Sequence, residues 1–112
     1  MTQYFDNLET RSADARASAL AQDLPAAIAT ALRAPGMAAH LGAVDPAEIT
    51  DRAALARLPV LRKSDLGQAQ KGSAPFGGLT TRPAHGFAHI FQSPGPIYEP
   101  GGTEHDWWRM GR

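Results

Sequence analysis

The sequence predicts a mainly α-helical chain, built from several short helices, with a small β-hairpin near its C-terminus. Residues 12–33 consist largely of strong helix formers. Within them an apolar stripe recurs at every fourth position: Leu20, Leu24, Ile28 and Leu32. Residues 85–92 instead alternate in the manner of a strand, and glycine and proline crowd the residues that follow. We therefore expect a single partial domain over 1–112, with a helical region over 1–70 and a loop, a hairpin and the start of a helix over 71–112.

Pro25 interrupts the apolar stripe of the first helical segment. A proline lacks a backbone N–H and disfavours a helical conformation at the residue before it. Either the helix kinks at Pro25, or a second helix begins with Asp23 as its N-cap and Pro25 in its first turn. We favour two segments with a break near residue 24. Residues 34–37 then form a turn, and residues 37–44 hold one or two helical turns.

The middle of the chain predicts further short helices with polar starts. Asp45 is placed to cap one helix, because Pro46 suits the first helical position and Glu48 follows three residues after the cap. A second short helix covers residues 50–58 and starts with Thr50 and Asp51. Its apolar contacts are Leu55 and Leu58, and Pro59 ends it. Ser64 is the expected cap of a further helix.

The predicted hairpin joins residues 85–92 to residues 96–100 through a tip with the sequence SPGP. In the first strand one face carries His85, Phe87, His89 and Phe91. After the hairpin, Thr103 and Asp106 have capping-box spacing ahead of Trp107 and Trp108. A helix that starts there should continue far enough to bury both tryptophans, and a two-stranded hairpin is marginal alone. We therefore expect these residues to belong to the N-terminal part of something larger.

Composition excludes several functional classes. The chain has 112 residues, no cysteine, and equal numbers of acidic and basic residues. A chain without net charge has no basic field to attract nucleic acid, and a chain without cysteine has neither disulfides nor thiolate metal sites. No apolar run approaches the roughly 20 residues of a membrane-spanning helix. The N-terminus also has no apolar signal core. A cytoplasmic protein that binds neither nucleic acid nor membrane is the expectation.

The order of motifs resembles the N-terminal segment of the phenylacetate–CoA ligase family, within the adenylate-forming superfamily. The resemblance covers nearly the whole chain and is carried by four stretches: YFDNLETR (4–11), ALARLPVLRKSDL (54–66), PFGGL (75–79) and HIFQSPGPIYEPGG (89–102). The last stretch falls where such ligases carry a strand, a phosphate loop and a second strand. The resemblance implies that this chain is the opening of a larger α/β adenylate-forming domain.

The resemblance also implies an activity and its cofactors. Such enzymes use ATP and Mg²⁺ to convert an aromatic or other carboxylic acid into an acyl-adenylate, and coenzyme A then displaces AMP. In this chain Ser93, Gly95 and Tyr98 are the candidates for contact with the ATP phosphates. The chain contains no C-terminal catalytic lysine of the family, so we expect it to be inactive alone and to bind none of these cofactors tightly.

The loop fits a phosphate-binding role in part. Gly95 lets backbone N–H groups approach an oxyanion closely and Ser93 adds a hydroxyl donor, whereas Pro94 and Pro96 each lack an N–H. The family loop has further hydroxyls, a second glycine and a lysine, and here Glu99 stands near the expected basic position.

Two alternatives stay open beside the phosphate loop. The hairpin tip can be a plain turn without a ligand, and the chain can be a stand-alone, non-enzymatic helical interaction module. In either case, unburied apolar surface of this chain offers a route to self-association. A metal site at His85 and His89 is disfavoured, because residues four apart on a strand lie about 13 Å from each other.

Overall fold

The computed structural model describes residues 3–103. Within that range the chain forms four α-helices: α1 (Ala13–Ala31), α2 (Pro35–Leu41), α3 (Arg52–Ala56) and α4 (Lys63–Gly72). Single 3-10 turns occupy Asn7–Thr10, Pro46–Glu48 and Ala84–Gly86. The strands β1 (His89–Ser93) and β2 (Ile97–Gly101) form an antiparallel hairpin. The predicted mainly helical chain with a C-terminal hairpin is confirmed, while the predicted helix that starts near Thr103 lies outside the described residues.

Helix α1 runs without a break through Pro25, so the predicted division near residue 24 is wrong. Ser12 caps its start, since the Ser12 hydroxyl accepts a hydrogen bond of 3.1 Å from the Ala15 N–H. Pro25 removes one backbone donor from the helix interior. The apolar stripe outweighs that loss, because Ile28 is buried and its stripe neighbours Leu24 and Leu32 pack against the same core.

Helix α2 begins at Pro35, where a turn over residues 34–37 was predicted, and that prediction is wrong. The Gly36 N–H donates a hydrogen bond of 2.7 Å to the Gly78 carbonyl. A Cβ atom on Gly36 would lie 2.9 Å from the carbonyl carbon of Gly78, which is closer than real Cβ contacts. Gly77 and Gly78 both have positive φ angles, of 68° and 69°. A close backbone contact between α2 and this loop therefore replaces the free turn.

The predicted Asp45 cap is present, and Asp51, one of the two residues expected to start the next helix, caps α3. The Asp45 carboxylate accepts from the Ala47 N–H at 2.9 Å, and the Asp51 carboxylate accepts from the Ala54 N–H at 2.7 Å. The predicted Ser64 cap is wrong, because α4 begins at Lys63, so Ser64 lies inside the helix, and the helix start has no side-chain cap.

The core is small and lies between α1, the turn at Pro46–Glu48 and α3. Its buried members are Ile28, Ile49 and Ala54, with Leu24, Leu32, Val44 and Leu58 partly buried around them. Leu58 therefore packs as predicted, whereas Leu55 is 39% exposed and the smaller Ala54 is buried in the position expected for it. Among residues 3–103, no helix is both long enough and apolar enough to cross a membrane.

Strand β1 begins at His89, four residues later than the start of the predicted alternation. His85 lies in the 3-10 turn, and Phe87 contacts residues outside the hairpin. The Phe87 ring meets the Phe76 ring edge-to-face, with centroids 5.6 Å apart, and the Arg82 guanidinium lies 5.0 Å from the Phe87 centroid. These ring contacts hold Phe87 in the connecting loop.

Candidate functional site

The hairpin is fastened to helix α4 by one glutamine side chain. The Gln70 Nε2 donates to the Tyr98 carbonyl at 2.8 Å, and the Tyr98 N–H donates to the Gln70 Oε1 at 2.9 Å. Gln70 is only 8% exposed, so both the NH2 group and the carbonyl of its side-chain amide need hydrogen-bond partners, and the Tyr98 backbone supplies them. This pair fixes the position of the hairpin tip relative to α4.

Apolar packing reinforces the same contact. Ile97 opens β2 and is 5% exposed. A Cβ atom on Gly67 of α4 would stand 3.8 Å from the Cδ1 atom of Ile97, an ordinary van der Waals distance, so Ile97 packs close to this point of the helix. The base of β2 is therefore held by one buried side chain and one pair of hydrogen bonds.

The tip of the hairpin is the turn Pro94–Gly95–Pro96. Gly95 has a φ of 121°, a conformation that residues with a side chain rarely adopt. Ser93 and Ile97 face each other at the last pair of the ladder, and the Ser93 hydroxyl donates to the Ile97 carbonyl at 3.5 Å. That distance is at the limit of a hydrogen bond, so a ligand oxygen can compete for the Ser93 hydroxyl.

A groove of about 630 Å³ lies between α4, the segment after it and the hairpin tip. Its lining residues are Ser64, Gly67, Gln68, Gln70, Lys71, Ala74, Pro75, Gly95, Pro96 and Tyr98. Two of the three residues predicted to contact phosphate, Gly95 and Tyr98, therefore line one groove. Ser93 lies two residues before Gly95 and is not among the lining residues.

Lys71 is the groove residue that the sequence did not indicate. It precedes Gly95 by 24 positions and lies on a different element, so no local motif connects the two. Among the described residues that line the groove, Lys71 carries the one formal charge, and Glu99 is not one of them. Ser64, Gln68 and Gln70 add neutral polar groups. A site of this composition favours an anion.

The groove does not fit Mg²⁺. That ion prefers carboxylate and phosphate oxygens, and neither Asp nor Glu is found among the described lining residues. Across residues 3–103, no group of three or more His, Asp or Glu side chains is arranged to hold a metal ion. The groove chemistry on this chain is therefore that of a cation and polar donors.

Comparisons with known proteins supply no further assignment. No protein-family model, no curated protein and no solved structure matches this chain. The candidate site accordingly rests on the groove itself, which is lined by a glycine turn, a buried glutamine that positions the turn, and a lysine.

Proposed function

We propose that this chain is the N-terminal part of an enzyme similar to the phenylacetate–CoA ligases. Such an enzyme activates a carboxylic acid with ATP to an acyl-adenylate and transfers the acyl group to coenzyme A. The observation that supports the proposal is the groove that Lys71 of α4 and the Gly95 turn line together. The 112-residue chain alone would be inactive, and the coding sequence of the complete enzyme would continue beyond Arg112.

On this proposal the groove receives part of the ATP triphosphate. Gly95 carries no side chain, so a phosphate oxygen can approach its backbone N–H closely. Lys71 would supply the positive charge that the family loop supplies from within the loop itself. Pro94 and Pro96 restrict the turn before the ligand arrives, which lowers the entropy cost of binding. Gln70 keeps the turn at a fixed distance from α4.

The test compares the two lysines of α4. Lys71→Ala removes the groove cation, whereas Lys63→Ala removes the same charge from the first residue of the helix, which does not line the groove. In the complete enzyme, acid-dependent exchange of pyrophosphate into ATP should fall roughly 10- to 100-fold in Lys71→Ala, as expected for a lost hydrogen bond to a charged group. Lys63→Ala should retain the parental rate.

Gly95 is the less suitable position for this test. A side chain at Gly95 meets open space, but the φ of 121° would strain it, so a substitution there perturbs the turn as well as the ligand contact. Ser93→Ala tests the hydroxyl separately. If Lys71→Ala and Ser93→Ala both exchange pyrophosphate at the parental rate, the groove does not hold the triphosphate and the proposal is wrong.

A second candidate, the stand-alone interaction module, is favoured by the exposure of β1. Ile90 and Phe91 point to opposite faces of the hairpin, and each is 52% exposed. Half-exposed apolar side chains on this strand offer surface against which another polypeptide can pack. A coding sequence that stops at Arg112, in a protein without exchange activity, would favour this candidate over the ligase.

A further inference from the structure

The hydrogen bonds of Gln70 reveal which way the hairpin backbone points. The N–H and the carbonyl of Tyr98 both form hydrogen bonds with Gln70, outside the hairpin. The backbone N–H and carbonyl groups of Tyr98 and of its partner Gln92 therefore point away from the space between the two strands. Bonded and non-bonded pairs alternate along an antiparallel ladder. The pair Ile90–Pro100, two positions away, therefore has the same orientation.

The two outer edges of the hairpin differ as a result. On β2 the outward groups of Tyr98 are occupied by Gln70, and Pro100 has no N–H to offer. On β1 the outward groups are the N–H and carbonyl of Ile90 and of Gln92. Among the described residues β1 pairs with β2 alone. One edge of this sheet is closed, and the other presents a row of backbone donors and acceptors.

Strand β1 also lacks the devices that keep an edge from pairing. Exposed edges are usually protected by charged side chains, prolines or bulges. The sequence HIFQS of β1 contains neither a charged residue nor a proline, and no Asp, Glu, Lys or Arg occurs anywhere from residue 86 to residue 98. Ile90 and Phe91, both on this strand, are each 52% exposed.

We propose that β1 is the surface where a second copy of this chain adds its own β1, antiparallel, to form a four-stranded sheet in the order β2-β1-β1-β2. A two-fold axis at Phe91 would pair Ile90 with Gln92 of the second copy and set the two Phe91 side chains opposite each other. The uncharged strand favours this occupant, because identical charges would otherwise face each other across the axis. This inference does not rest on the ligase proposal.

The geometry limits both the size and the strength of the assembly. Because Gln70 closes the β2 edge, each copy offers one edge and the pairing ends at two chains. A stable interface buries about 800 Å² of surface on each partner. Pairing through one five-residue strand with two half-exposed apolar side chains would bury far less. The dimer should therefore be weak, with a dissociation constant between about 10 µM and 1 mM.

The test is sedimentation of the 112-residue chain over that concentration range. The mass should rise from one chain to two with increasing concentration. Ile90→Lys places a charge on the open edge and should raise the dissociation constant at least tenfold. The matched control is Val60→Lys, because Val60 is also apolar, is 78% exposed and lies between α3 and α4, off the hairpin. Val60→Lys should dimerise as the parent does.

Amide hydrogen exchange of the parent chain locates the interface without any substitution. The Ile90 and Gln92 amides should become protected as concentration rises, whereas the Tyr98 amide, bonded to Gln70, should be protected throughout. Three results would overturn the proposal: a monomer at 1 mM, a dimer that Ile90→Lys leaves intact, or Ile90 and Gln92 amides whose protection does not depend on concentration. If those amides are protected at every concentration, another part of the same chain covers β1; if they are never protected, the edge stays unpaired.

Discussion

Gln70 and Tyr98 are 28 positions apart in the chain, and each donates one hydrogen bond to the other. The primary amide of Gln70 offers the same N–H and C=O pair that a neighbouring strand would offer to Tyr98. A side chain of α4 thus takes the place of a third strand at the edge of β2. The position of the candidate groove and the open edge of β1 both depend on this contact.

Replacing Gln70 should loosen the hairpin from the helix. Gln70→Ala removes both hydrogen bonds and leaves the Tyr98 N–H and carbonyl without protein partners, which costs about 1 to 3 kcal/mol. The free energy of unfolding in urea should fall by that amount, and the Tyr98 amide should exchange faster. Gln68→Ala on the exposed side of α4 is the control and should change neither quantity. Equal stability of the two variants would contradict the role assigned to Gln70.

Gly36 should tolerate no side chain. In Gly36→Ala the new Cβ would press against the backbone of Gly77 and Gly78, and backbone atoms cannot turn aside as a flexible side chain can. Overpacking of this kind destabilises by about 1 to 3 kcal/mol. Gly72→Ala provides the comparison, since a Cβ there meets nothing within 4 Å, and its melting temperature should hold or rise slightly. A Gly36→Ala protein as stable as the parent would show that α2 does not dock against this loop.

Pro25 should be a destabilising residue in α1. Pro25→Ala restores an N–H that can donate to the Ala21 carbonyl and removes a ring that clashes with the preceding turn, a gain of up to about 3 kcal/mol. Thermal unfolding should therefore shift upward. Pro35→Ala makes the same change at the first position of α2, where proline is suited, and should bring no such gain. A lower melting temperature for Pro25→Ala would indicate that packing of the proline ring stabilises the fold by more than the missing hydrogen bond costs.

The cap at the start of α3 should depend on the side-chain oxygen of Asp51 and not on its charge. Asp51→Ala loses the 2.7 Å hydrogen bond from the Ala54 N–H and should cost about 1 kcal/mol. Asp51→Asn keeps a cap acceptor of similar rank and should remain close to the parent. Urea unfolding of the three proteins measures both differences. If Asn is as damaging as Ala, the charge dominates and the assigned cap is wrong.

Only part of the candidate site could be predicted from the sequence. The turn at Gly95 follows from the sequence, because proline fixes its own φ and glycine adopts a positive φ without steric cost. The groove that faces it does not, because Lys71 and Gln70 come from a helix more than twenty positions earlier, and no spacing rule connects them to the tip. The contact of Ser93, Gly95 and Tyr98 with phosphate stays a prediction.

The sequence by itself determined the Asp45 cap, a short helix that starts at Asp51, and the place of the hairpin. The Asp45 and Asp51 caps and the SPGP turn each depend on atoms a few residues apart, so local chemistry decides them. Tertiary structure decided whether α1 continues through Pro25, where α2 begins, and which apolar residues are buried. In each case a contact between distant residues outweighs a local preference: the shared core of Leu24, Ile28 and Leu32 in α1, and the Gly36–Gly78 hydrogen bond in α2. Burial and close backbone approach belong to the folded chain as a whole, and no short stretch of sequence specifies them.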